Sequence, residues 1–141
     1  MDEITYFGMG PQESYRDKHR AASHGLYRLK VSDMHEDYIR PQENGSHYDC
    51  DYVELGNSQY GITAVAEEDT FSFNASFYTQ EELEEKAHNY ELIESDSTVF
   101  CLDYAQNGIG SNSCGPDVLE AYRFEDRLFR FRFTLVPYVK G

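Results

Sequence analysis

The sequence predicts an all-β domain, an antiparallel β-sandwich with one short helix near residues 79–91. Three observations carry this. Apolar and polar residues alternate with a period of two in several short runs, most cleanly in FSFNASF (71–77). Turn-forming pairs such as Asn44 with Gly45 and Gly56 with Asn57 separate the runs. The runs also follow one another without the alternating helices of a parallel βαβ fold.

In chain order, residues 4–7 read as a short strand ended by Gly8, Gly10 and Pro11. The polar stretch 12–24 (QESYRDKHRAASH) has little periodicity and reads as a long surface excursion. Residues 26–31 (LYRLKV) form a half-buried strand, and Tyr38 and Ile39 lead into the PQENG turn at 41–45. Tyr48, Cys50 and Tyr52 alternate with Asp49 and Asp51; Val53 and Leu55 then shift the phase, which places a bulge or twist near Tyr52. Tyr60, Ile62, Ala64 and Ala66 define the next strand.

In the 71–77 strand, Phe71, Phe73, Ala75 and Phe77 are expected inward, with Ser72, Asn74 and Ser76 outward. Thr79 and Glu82 make a capping box for a helix with a Leu83, Ala87 and Tyr90 stripe, ending near 90–92. Strands are expected at 99–104, at 118–124 and at 128–136. The last places Phe129, Phe131, Phe133 and Leu135 on one side and Arg130, Arg132 and Thr134 on the other, so the arginine face meets solvent, acidic neighbours or another domain. That makes seven or eight strands in a single domain over 1–141.

Between the strand at 99–104 and Pro116 lies the most shaped stretch of the chain. Gly108, Gly110 and Gly115 alternate with Asn107, Ser111, Asn112 and Ser113. Glycine permits close backbone approach and positive φ, and the amides and hydroxyls supply neutral donors and acceptors. Such a loop suits an uncharged polar ligand such as a sugar; a well-made turn without a ligand is the competing reading.

Composition narrows the classes of function. The 141 residues carry 26 acidic against 12 Lys and Arg side chains, a formal net charge of −14. That excludes the basic footprint that nucleic acid and anionic membranes require. No apolar run approaches the ~20 residues of a membrane span. The N-terminus lacks the basic and apolar regions of a signal peptide, and the three widely spaced cysteines suit a reduced compartment, so a cytoplasmic location is expected. No Cys/His ligand spacing, GxSxG elbow or P-loop occurs, and no catalytic or metal-binding residue is assigned. Glu43 is the most notable acid, beside the Asn44 turn. Cys114 has no flanking Lys, Arg or His to lower its pKa and is expected to be structural; Tyr104 and Tyr122 are the tyrosines that could stack on a sugar.

Several stretches, in order, resemble the C-terminal domain of bacterial β-galactosidases of glycoside hydrolase family 2, found also as the separate small chain of two-chain enzymes. They are GMGPQESY (8–15) with Asp17, Tyr38 with PQENG (41–45), FSFNAS (71–76) with Tyr78 and Thr79, Leu83 with His88, and Leu102 and Asp103 with GIG (108–110) and SCGP (113–116). The resemblance covers nearly the whole chain. It implies the supersandwich shared with galactose mutarotases, of which this chain would be the C-terminal half. It implies that the parent hydrolyses terminal β-D-galactosides with retention, using two glutamates on a barrel domain outside this chain. The chain itself would be inactive, shaping the active-site rim and subunit assembly.

On the same basis Asn107, Asn112, Ser113 and Cys114 are the expected substrate-binding residues. The family usually carries a tryptophan where Cys114 stands. No cofactor is expected in this chain; Mg or Na, where the parent uses one, belongs to its catalytic domain. The expected partners are a β-galactoside or galactose, the other domains or large chain of the enzyme, and further copies of this chain. A stand-alone carbohydrate-binding module and a mutarotase-like enzyme built on His47 and Glu43 are the alternatives.

Overall fold

The computed structural model describes residues 1–107 and 118–141. Among the described residues, eight strands form two antiparallel sheets. The larger has the order β2-β1-β4-β5-β8, from β1 (Glu3–Gly10), β2 (Ser23–Lys30), β4 (Tyr52–Gly56), β5 (Tyr60–Ala66) and β8 (Phe133–Val139). The smaller has the order β3-β6-β7, from β3 (His47–Cys50), β6 (Phe71–Ser76) and β7 (Val99–Asp103). The alternation seen in the sequence makes each sheet apolar on the face turned to the other. Ile4, Tyr6, Val53, Leu55 and Ala64 pack against Cys50, Phe71, Phe73 and Ala75, and Val31 and Met34 close the end of the core. Tyr6 meets Phe73 edge-on, with ring centroids 5.0 Å apart.

The phase shift between Cys50 and Val53 is where the chain changes sheets. β3 belongs to the smaller sheet and β4 to the larger, with Asp51 between them. Its N–H donates to Phe7 O at 2.9 Å and its carbonyl accepts from Ala66 N at 2.8 Å. The irregularity lies between His47 and Cys50, where Asp49 takes a left-handed φ of 58°. β1 lies so close to β3 that a Cβ on Gly8 would stand 2.3 Å from Cys50 Sγ.

Several expectations need correction. Stretch 12–24 is not all surface: Glu13, Ser14 and Tyr15 are buried, and β2 begins at Ser23. The polar face of β6 is buried too, because the turn carrying Asn44 and Ser46 covers it. Asn74 Nδ2 donates to Asn44 O, and Ser46 Oγ donates to Phe73 O at 3.4 Å.

The helix α1 (Gln80–Glu85) stops earlier than expected and buries only Leu83 of its stripe. Thr79 Oγ1 accepts from Glu82 N at 3.1 Å, but the Glu82 carboxylate turns to Ile93 N, so the capping box is half made. Lys86 is extended, and a 3-10 turn, Asn89–Glu91, begins anew where the Glu91 carboxylate accepts from His88 N at 2.9 Å.

The expected strand at 118–124 is not a strand. A 3-10 turn, Glu120–Tyr122, occupies it, closed by Tyr122 N donating to Leu119 O at 2.8 Å. β8 starts only at Phe133, which pairs with Ala66; one further bond, from Glu67 N to Arg132 O at 3.4 Å, lies just before it. Phe129 and Phe131 instead gather on Tyr104, with centroids 4.8 and 6.0 Å away. The arginine face meets acids as expected: Arg132 pairs with Glu68, and Thr134 donates to Glu67 at 2.6 Å. Among the described residues, no helix is long and apolar enough to cross a membrane.

Candidate functional site

The site grows from the end of β1. The chain turns at Gly10 and Pro11, which are joined by a cis peptide, and just beyond them the Glu13 side chain is buried. There its carboxylate ties two loops together. It accepts from Lys18 Nζ and Tyr38 OH, from Tyr15 OH at 3.2 Å and from Gly45 N at 2.9 Å. Burial pushes the Glu13 carboxyl up, but the bonds from Lys18, Tyr38 and Gly45 outweigh it and hold the group below the usual carboxylate range.

His47 pins the same turn from below. Its ring stacks on Phe73 at 5.2 Å, and its nitrogens lie 3.0 Å from Gly45 O and 3.1 Å from Pro11 O. Burial lowers its pKa; the two carbonyls and Glu13 restore only part of that. Gly45 is required in the turn: its φ is +73°, and a Cβ there would stand 2.2 Å from Met34 O.

On this base the 42–46 turn faces the end of β7. Between them is a cleft of about 370 Å3 lined by Tyr15, Gln42, Glu43, Ser46, Gln106 and Asn107. Gln80 Nε2 donates to Glu43 at 3.2 Å, and Gln106 Nε2 donates to Asp103 at 3.0 Å, so both side chains are positioned by amides. Asn107 Oδ1 accepts from Phe124 N, which orients its amide. Burial raises the Asp103 carboxyl above its ordinary range, and the Glu43 charge adds to the effect. The wall thus offers amides, hydroxyls and the Glu43 carboxylate, a set that hydrogen-bonds neutral hydroxyl groups in either sense.

Of the residues expected to contact substrate, Asn107 lies in this cleft. Asn112, Ser113 and Cys114, with the rest of the glycine-rich stretch 108–117, lie outside the described residues. Glu43 is on the rim. Its expected partner in a mutarotase-like pair, His47, is 1% exposed with both ring nitrogens against backbone carbonyls, so it cannot present a ring nitrogen to a bound sugar. Tyr104 gives one face to Phe129, and Tyr122 sits in the 3-10 turn.

Sequence reasoning missed Glu13, Tyr15, Gln42, Ser46 and Gln106. The signal for Glu13 and Tyr15 was their place directly after a Gly-Pro pair, within the GMGPQESY stretch (8–15). Among the described residues no group of three His, Cys, Asp or Glu side chains is placed to hold a metal ion.

Fold and site together define a two-sheet β domain that presents a polar, amide-lined cleft at one end of its sheets. Sequence comparison makes this specific. The family described as the β-galactosidase small chain matches residues 1–135. A β-galactosidase of Actinobacillus pleuropneumoniae is 51% identical over 133 residues, covering 94% of this chain and 13% of that protein. Those of Staphylococcus xylosus and Kluyveromyces lactis are 42% and 33% identical, each over 95% of this chain and 13% of their own length. The chain belongs to the β-galactosidase small-chain family. It spans about an eighth of the length of these relatives.

Proposed function

We propose that this chain works as the C-terminal half of the small-chain-type domain of a β-galactosidase, one part of a larger supersandwich. The parent hydrolyses terminal β-D-galactosides with retention, and its two catalytic glutamates belong to another domain. This chain supplies part of the active-site rim and surfaces for assembly with the other domains or large chain. Its contribution is binding and shape: Asn107 and Glu43 hydrogen-bond sugar hydroxyls, and Asn112, Ser113 and Cys114 complete the contact. Mg or Na, where used, serves the catalytic domain, and the enzyme acts in the cytoplasm.

Family membership along nearly the whole chain carries this reading, and the Asn107 cleft supports it, since neutral donors and acceptors are what a galactoside requires. The test is the full-length parent assayed with lactose and an aryl β-galactoside. The reading expects turnover by the parent, none by this chain alone, and a raised KM for Asn107→Ala. A parent inert toward both β-galactosides refutes it.

A further inference from the structure

A second cleft lies on the other side of Tyr15 and Gln106, at the start of β6. Its volume is about 420 Å3, within the ~300–1,000 Å3 typical of small-molecule sites. Arg16, Tyr48, Asp49, Asp69, Tyr104 and Asp126 line it. Three observations bear on what it takes.

Arg16 is half-buried, yet its guanidinium makes no ion pair or hydrogen bond among the described residues, although three aspartates share the cleft. A half-buried guanidinium whose donors are unspent is normally paired, because burying a charge without partners is costly. Asp49 is held in the left-handed region at φ 58°, a conformation unfavourable for a non-glycine residue. Its carboxylate is fixed by Thr70 Oγ1 at 2.7 Å, and its carbonyl lies 3.1 Å from His24 Nε2. Aromatic surface is present from Tyr48, tilted against His19 at 5.7 Å, and from Tyr104.

The cleft therefore combines a fork of donors, fixed acceptors and aromatic carbon. Three carboxylates oppose an anion, and the arginine opposes a cation. A neutral ring bearing adjacent hydroxyls satisfies both signs at once: vicinal hydroxyls accept from the guanidinium and donate to the aspartates, while the C–H face covers aromatic surface. We propose that this cleft is a second saccharide-binding site, taking a neutral pyranose, with Arg16 and Asp49 as its hydroxyl-binding pair and Tyr48 as its apolar wall. It is separate from the Asn107 cleft and does not depend on the proposed role of that cleft.

The test is a titration of the isotopically labelled full chain with galactose, glucose and, as the anionic control, sulfate, read by amide chemical shifts. Saturable shifts at Arg16, Tyr48 and Thr70 on adding either sugar are expected. Arg16→Gln should weaken them on the order of tenfold, the loss of one charge-assisted hydrogen bond. Because Arg16 has no partner to lose among the described residues, this variant should keep the wild-type spectrum elsewhere. Three results overturn the proposal: no sugar-dependent shift at these residues, shifts that survive both Arg16→Gln and Tyr48→Ala, or a response to sulfate instead of sugar. A parent enzyme active on galactosides with this cleft silent overturns this inference alone.

Discussion

Glu13→Gln is the most informative single perturbation, because one carboxylate ties together the segment after β1, Tyr38 and the turn at Gly45. Replacing it with an amide makes the bond from Tyr38 a neutral one and leaves the Lys18 ammonium without its opposite charge. Each change costs about 1 kcal/mol. The new NH2 must also face a donor, since Tyr15 OH and Gly45 N both point at the second carboxylate oxygen. A buried donor facing a donor costs ~1–3 kcal/mol. Lys18 is 49% exposed and can rehydrate, which keeps the total at the lower end, about 3 kcal/mol. For a chain of this size that is a fall of roughly 10 °C in Tm.

The pH dependence follows from the same geometry. The native pKa of Glu13 is depressed, so its stabilisation is complete above the unfolded value of ~4.3 and disappears as pH falls through the lower native value. The gap between wild type and Glu13→Gln should therefore be full at neutral pH and close in acid below about pH 4. Urea unfolding followed by circular dichroism measures both. A variant within about 0.5 kcal/mol of wild type at neutral pH, or a gap that does not narrow in acid, would refute the reasoning.

Gly45→Ala should cost about 3 kcal/mol, since it combines a left-handed φ with a backbone collision, and should also perturb amide signals at Gln42 and Glu43. Gly8→Ala should destabilise by ~1–3 kcal/mol through the Cys50 contact, with little effect at that turn; urea midpoints and spectra separate the two. His47 is held below its usual pKa by burial, so acid favours its unfolded, protonated form and stability should decline as pH falls below ~6.5. His47→Gln should flatten that limb when unfolding is compared across it. The chain should self-associate through β8, an edge strand with Leu135, Val136 and Val139 exposed. Sedimentation velocity should show species larger than a monomer, reduced by Val139→Lys; a monomer for the wild type contradicts this.

Local periodicity was enough for the β-class, because a strand with one buried face must alternate. The cores of β1, β5 and β6 were legible for that reason, as was the N-cap at Thr79, which depends on residues three apart. The strand expected at 118–124 and the early part of the one expected at 128–136 failed because apolar residues there serve an aromatic cluster around Tyr104, not a ladder. Alternation shows that a residue has an apolar side, not what covers it.

The sites divide in the same way. Asn107 and Glu43 stood out in the sequence because amides and acids beside turn residues mark loops that reach solvent. Glu13 did not: in a polar run it looks like any surface acid. Only the folded chain brings Lys18, Tyr38 and Gly45 to its carboxylate, from positions up to 32 residues away. Only the tertiary structure shows Arg16 beside three aspartates yet without a partner among the described residues. Composition and spacing determined that this protein is an acidic, two-layered β domain; which polar groups are buried together, and which line a cleft, was decided by long-range packing, since hydrogen bonds between distant loops leave no period in the sequence.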